Sequence, residues 1–164
     1  MPDTLTPPIH ELLTPATIQV GLPGSTKTEA LHNLVSLFIG HPSVADLEAL
    51  ENAVLAREAM LSTGVGFGLG LPHAKTTAVR ETLAAFAVTA SPLPFDAIDG
   101  EPVRLLFLLI GPPTNNSQHI RILARLSRLM NHADLRAQLL EAPDVATVLA
   151  ILADAEQHLL DGKG

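Results

Sequence analysis

Two short apolar runs, Thr82–Thr89 and Val103–Ile110, constrain this chain more than any other feature. Both are too short for buried helices of ordinary length and read as buried strands. The stretch between them, SPLPFDAIDGEP at residues 91–102, is rich in Pro, Asp and Gly and carries turn chemistry. Buried strands need covering, and the rest of the chain offers helices. Lys27–Ile39 repeats apolar residues at helical spacing. Ser43, with Asp46 three residues on, resembles a capping box for a helix running to Met60. Ser117–Asn131 forms a strong helical pattern, capped by Asn115, Asn116 or Ser117, and two shorter helices, 134–141 and 144–156, flank Pro143. ATIQVGL, residues 16–22, suits an edge strand. Strands mixed with helices along one chain predict a single α/β domain.

The core of such a domain must be aliphatic. Hydrophobic residues make up 47% of the chain but aromatics only 3%, with no Trp or Tyr. A formal charge of −7 argues against nucleic acid as a partner. With no cysteine, disulfides, zinc–thiolate sites and thiol catalysis are excluded. The N-terminal MPDTLTPPIHELL does not read as a signal peptide. The densest apolar run, Leu105–Ile110, is far too short to span a bilayer. A cytoplasmic protein without direct membrane insertion is the expectation.

The segment GVGFGLGLPHAK, residues 64–75, departs from both periodicities. Glycine at every second place suits a strand with one bare face, open to close approach by another backbone or a ligand. Pro72 fixes its own φ and biases Leu71 toward extended geometry, so the His73 side chain leaves a strand end in a defined direction. On local sequence, a site histidine and a turn-capping histidine are equal readings. His119 falls in the first turn of the 117–131 helix, where free N–H groups suit an anion such as phosphate; an ordinary helix residue is the simpler alternative. Arg57 could hold phosphoryl oxygens bidentately, or could be an exposed helix arginine beside Glu58. Arg121, Arg125 and Arg128 form a basic stripe that reads as a solvated face or a docking surface for an acidic partner. His32, His41, His132 and His158 suit polar surfaces. GLPGSTKT at 21–28 lacks the second glycine of a nucleotide loop, the 64–70 glycines lack dinucleotide spacing, and no tight His/Glu cluster supports a metal.

Taken together, AREAMLSTGVGFGLGLPHAK, FDAIDGEPVRLLFLLIGPP and SQHIRILARLSRLM resemble three ordered blocks of the enzyme IIA domains of the bacterial phosphotransferase system, fructose–mannitol class, which includes the nitrogen-regulatory IIA proteins. The likeness spans residues 8–155. It implies a mixed β-sheet flanked by helices over residues 10–157, with 1–9 as a flexible arm and 158–164 as a tail. It also implies that His73 is the phosphoryl acceptor, with His119 and Arg57 stabilising the phosphoryl group. Phe67 departs from the family pattern, where a polar residue is usual.

The resemblance further implies that His73 takes a phosphoryl group from the histidine-containing phosphocarrier protein and passes it to an enzyme IIB. The alternative is a regulatory protein whose targets sense its phosphorylation state. Neither needs a nucleotide, metal or other cofactor, because phosphohistidine is already an activated donor.

Overall fold

The structure, a computed structural model, describes residues 6–160. Six strands form one mixed sheet: β1 (Ile18–Leu22), β2 (Gly64–Gly66), β3 (Leu69–Gly70), β4 (His73–Lys75), β5 (Leu83–Leu93) and β6 (Val103–Gly111). Five helices flank it: α1 (Lys27–Val35), α2 (Leu47–Met60), α3 (Asn116–Met130), α4 (Ala133–Glu141) and α5 (Val145–Leu160). The α/β layering read from the sequence therefore holds.

The two apolar runs are the centre of the sheet. β5 and β6 pair antiparallel, from Leu83 opposite Ile110 to Leu93 opposite Val103. β1 adds parallel to β5 and is the expected edge strand. β3 and β4 both add parallel to β6. Alternation along the central strands splits the core into two layers. Phe86, Val88, Leu105, Phe107 and Leu109 pack against Ile122, Leu126, Leu139 and Leu152 of the C-terminal helices. Ala85, Ala87, Leu106, Leu108 and Ile110 pack against Leu31, Leu34, Leu50 and Val54 of α1 and α2. A strand that feeds apolar side chains to both faces must be continuously apolar, which is why β6 reads as it does.

Several local expectations change. The 64–72 stretch is a tight hairpin rather than one strand, with Gly64 opposite Gly70. Its turn places Phe67 at φ 58° and Gly68 at φ 74°, the left-handed pair that a two-residue hairpin loop demands. Glycine suits that geometry; Phe67 is strained there, 70% exposed, with Arg136 4.7 Å over its ring. Gly64 serves close approach instead, since a Cβ there would meet the Cα of Ala97 at 2.8 Å. The α2 cap is Asp46, whose carboxylate accepts the Ala49 N–H at 3.1 Å. Ser43 cannot serve because residues 43–45 lie extended beside 78–80: Ala45 N–H bonds Ala78 O, and Arg80 N–H bonds Ser43 O. β5 also runs on through Ser91–Leu93, shortening the expected loop.

Of the arm expected over 1–9, the described residues include only 6–9. Residues 1–5 lie outside the described residues, but Thr6 is buried and Ile9 is in the core. Arg121 Nε donates to Thr6 Oγ1 at 3.1 Å, and Arg125 Nη1 donates to Pro7 O at 3.2 Å. Two members of the basic stripe thus fasten the N-terminal segment to α3. At the other end, α5 continues through 158–160, and 161–164 lie outside the described residues.

Candidate functional site

An open cleft of about 580 Å³ lies over β4, between α2 and α3. It gathers Arg57, His73, Lys75, Asn116 and His119, with apolar walls from Ala53, Met60, Ile120 and Leu123. The three residues singled out from the sequence, 62 positions apart at the extremes, therefore share one cavity.

His73 opens β4, opposite Leu109 near the carboxyl end of β6. Pro72 contributes no N–H, yet its carbonyl accepts the Leu109 N–H at 3.0 Å, so the residue before His73 is tied to the central strand. The half-buried ring has Nδ1 2.9 Å from the Leu71 carbonyl oxygen. A carbonyl can only accept, so Nδ1 carries a proton, and in the neutral ring the lone pair is on Nε2. Lys75, two residues on, falls on the same side of the strand, while Ala74 between them enters the α1/α2 core layer. Lys75 Nζ donates to Asn116 Oδ1 in the first turn of α3. Neither Lys75 nor Asn116 was singled out from the sequence; the period-2 relation to His73 was the available signal for Lys75.

His119 is placed by the short path from β6 into α3. Gly111 ends the strand, and a Cβ at that position would stand 3.3 Å from His119 Nδ1. The ring is 3% exposed, and neither nitrogen has a hydrogen-bond partner among the described residues. A buried polar group in that state costs about 1–3 kcal/mol. Burial, then the nearby His73 and Lys75, lowers its pKa from 6.5 to about 4. It is therefore neutral at physiological pH and can donate one hydrogen bond toward the cleft. Its ring centroid is 6.0 Å from that of His73, within reach of a group bound to the facing imidazole.

Arg57 lies in the last turn of α2, where Nη1 donates to Leu61 O at 3.0 Å. That bond ties the guanidinium to the helix end and engages one of its five N–H donors. The other sequence candidates lie elsewhere. Lys27, from the loop-like GLPGSTKT, pairs with Glu58 at 2.9 Å. His32 pairs with Glu51 at 2.6 Å, His41 accepts the Ser43 N–H, and His132 and His158 are exposed. The buried Glu156 holds His10, a pairing the sequence did not suggest. Among the described residues no cluster of His, Cys, Asp or Glu could hold a metal ion, and no helix is long and apolar enough to cross a membrane.

A layered α/β domain that turns two imidazoles, a guanidinium and an ammonium into one open cleft is built to handle an anionic group. The chain belongs to the family described as phosphoenolpyruvate-dependent sugar phosphotransferase system, EIIA 2, whose model matches residues 11–155. It is 43% identical over 132 residues to a fructose-specific EIIA component of this system from Haloferax volcanii, covering 80% of this chain and 86% of that protein. Its fold superposes on the crystal structure of nitrogen regulatory protein IIA-Ntr from Neisseria meningitidis with a TM-score of 0.82 and 29% identity, over 88% of this chain and 98% of that one. It also superposes on the mannitol enzyme IIA of Escherichia coli, solved in complex with its phosphorylated enzyme IIB, with a TM-score of 0.73 over 87% of this chain and 97% of that one; at 22% identity that likeness concerns the fold. Proteins of this family are phosphoryl carriers of the phosphotransferase system, the kind of activity that the sequence resemblance implied.

Proposed function

We propose that His73 is the phosphoryl-carrying residue, loaded by the histidine-containing phosphocarrier protein and unloaded to an enzyme IIB. The carrying observation is the Nδ1–Leu71 carbonyl bond, because it leaves the Nε2 lone pair as the nucleophile. Nε2 attacks phosphorus in line; the donor's N–P bond breaks, and its electron pair returns to the donor imidazole. The His73 ring becomes cationic, and the Leu71 carbonyl, still holding Nδ1–H, faces that charge. In a loose, metaphosphate-like transition state, positioning and positive field supply most of the catalysis. Arg57, Lys75 and the N-terminal end of α3 provide that field, and neutral His119 donates to a phosphoryl oxygen.

The test mixes the protein with phosphoenolpyruvate, enzyme I and the phosphocarrier, and follows intact mass beside a His73→Ala control. Gain of one acid-labile phosphoryl group, lost in the control, is expected. Full gain in His73→Ala would overturn the assignment. The similarity to a nitrogen-regulatory IIA protein favours a second reading, in which target proteins respond to the phosphorylation state of the same histidine. Transfer to an enzyme IIB separates the two: a regulator without a IIB acceptor would retain its phosphoryl group when that enzyme is added.

A further inference from the structure

Glu58 is 4% exposed, an unusual place for a carboxylate, and an apolar side chain there would avoid the cost of desolvating a charge. Its three donors explain its retention. Thr63 gives its N–H at 2.8 Å to one oxygen and its hydroxyl at 2.6 Å to the other. Lys27 Nζ sits 2.9 Å from the first oxygen, with the ammonium 4.6 Å over the Phe95 ring. The path continues from Thr63. Its carbonyl accepts the Leu71 N–H at 3.0 Å, and the Leu71 carbonyl takes Nδ1–H of His73 at 2.9 Å. An unbroken run of hydrogen bonds therefore leads from the Lys27–Glu58 ion pair, with its carboxylate buried, to the ring nitrogen that decides where the His73 lone pair lies. Nothing along it is long or strained.

We propose that Glu58 is a positioning residue for His73: by gripping both donors of Thr63 it fixes the Leu71 carbonyl, and so the tautomer and orientation of the imidazole. The carboxylate grips the start of the hairpin, whose glycine-rich turn offers little side-chain packing to hold its own shape. Adjacent Arg57 points to the cleft while Glu58 points inward, so one helix turn supplies both a cleft-lining cation and the anchor. In its kinetic part this inference rests on the phosphoryl-carrier reading; its tautomer part does not.

The experiment uses protein labelled with ¹⁵N at histidine, as wild type, Glu58→Gln, Thr63→Val and Thr63→Ser. Long-range ¹H–¹⁵N correlation spectra report which His73 nitrogen bears hydrogen. The wild type is expected to show Nδ1–H alone. Glu58→Gln and Thr63→Val are expected to show both tautomers, and Thr63→Ser, which keeps the hydroxyl, to restore the wild-type pattern. Phosphoryl acceptance is expected to slow about tenfold in the first two at unchanged half-saturating carrier concentration, the signature of a misoriented nucleophile. A folded Glu58→Gln protein with the wild-type tautomer and rate would overturn the proposal. If Glu58→Gln does not fold, the Thr63 pair decides on the same terms. Should the wild type accept no phosphoryl group while the tautomer still shifts in the variants, the carrier reading fails and the positioning role stands.

Discussion

His73 and His119 face each other at 6.0 Å between ring centroids and 53° between planes, yet their surroundings are opposite. His73 is half-buried and bonded to a backbone carbonyl; His119 is buried with neither nitrogen bonded among the described residues. Burial and the neighbouring His73 and Lys75 hold the His119 pKa near 4. A phosphoryl group on His73 would add negative charge in front of that ring and oppose those causes. The His119 pKa is therefore expected to rise by about one pH unit or more on phosphorylation. Ring-proton shifts followed against pH in the free and phosphorylated forms measure it. An unchanged titration would place the phosphoryl group out of reach of His119.

The same depressed pKa makes the fold sensitive to acid. The unfolded chain binds the His119 proton below about pH 6.5, whereas the folded chain resists it until about pH 4. No stability is lost above that window; the loss sets in as pH falls through 6.5 and levels off below 4. For a gap of this size it amounts to roughly 3 kcal/mol, at about 1.4 kcal/mol per pH unit. Urea denaturation at pH 7 and near pH 4 should show a steeper decline for the wild type than for His119→Gln. Equal declines would mean that His119 titrates normally in the folded protein.

Legibility in the sequence followed how many demands each residue meets. β5 and β6 were readable because burial on both faces leaves only apolar choices. The glycine run was harder. Gly64 and Gly70 serve close packing, while Gly68 serves a left-handed turn, and alternation in the sequence looks the same for both uses. Ser43 looked like a cap because its spacing to Asp46 is right; a pairing with residues 78–80, distant in sequence, took its backbone. His73, His119 and Arg57 were legible as a set through three ordered blocks, though each alone looked ordinary. Glu58 passed as the surface neighbour of Arg57, because its partners Lys27 and Thr63 meet it only in the fold. The arginine stripe was visible, but that two of its members hold the N-terminal segment depends on a chain path no local pattern encodes.

Lys75 brings a cation to the cleft on the same strand face as His73, anchored by Asn116. Its charge contributes to lowering the His119 pKa, so Lys75→Met should raise that pKa. Loss of a preorganised positive charge beside the transferring group should also slow phosphoryl acceptance by about tenfold or more. Histidine titration and single-turnover acceptance measure the two effects on one protein. A normal rate with a raised His119 pKa would make Lys75 an electrostatic neighbour that the transfer step does not use.

Two glycine substitutions should separate damage to the fold from damage to the site. In Gly64→Ala the new Cβ would lie 2.8 Å from both Cα and Cβ of Ala97, so backbone must move. Overpacking of this kind costs about 1–3 kcal/mol, and the melting temperature should fall accordingly. In Gly111→Ala the new Cβ would stand 3.3 Å from His119 Nδ1 and 3.3 Å from Thr82 Oγ1, both side-chain atoms that can yield by a few tenths of an ångström. Stability should fall by less than in Gly64→Ala, but the His119 ring is pushed from its place opposite His73. If His119 holds the phosphoryl group, onward transfer should drop about tenfold while His73 remains a competent acceptor. Rapid-quench transfer from the phosphorylated variant, set beside its melting curve, reads both quantities. Wild-type transfer in a measurably strained Gly111→Ala protein would show that the position of the His119 ring does not limit the reaction.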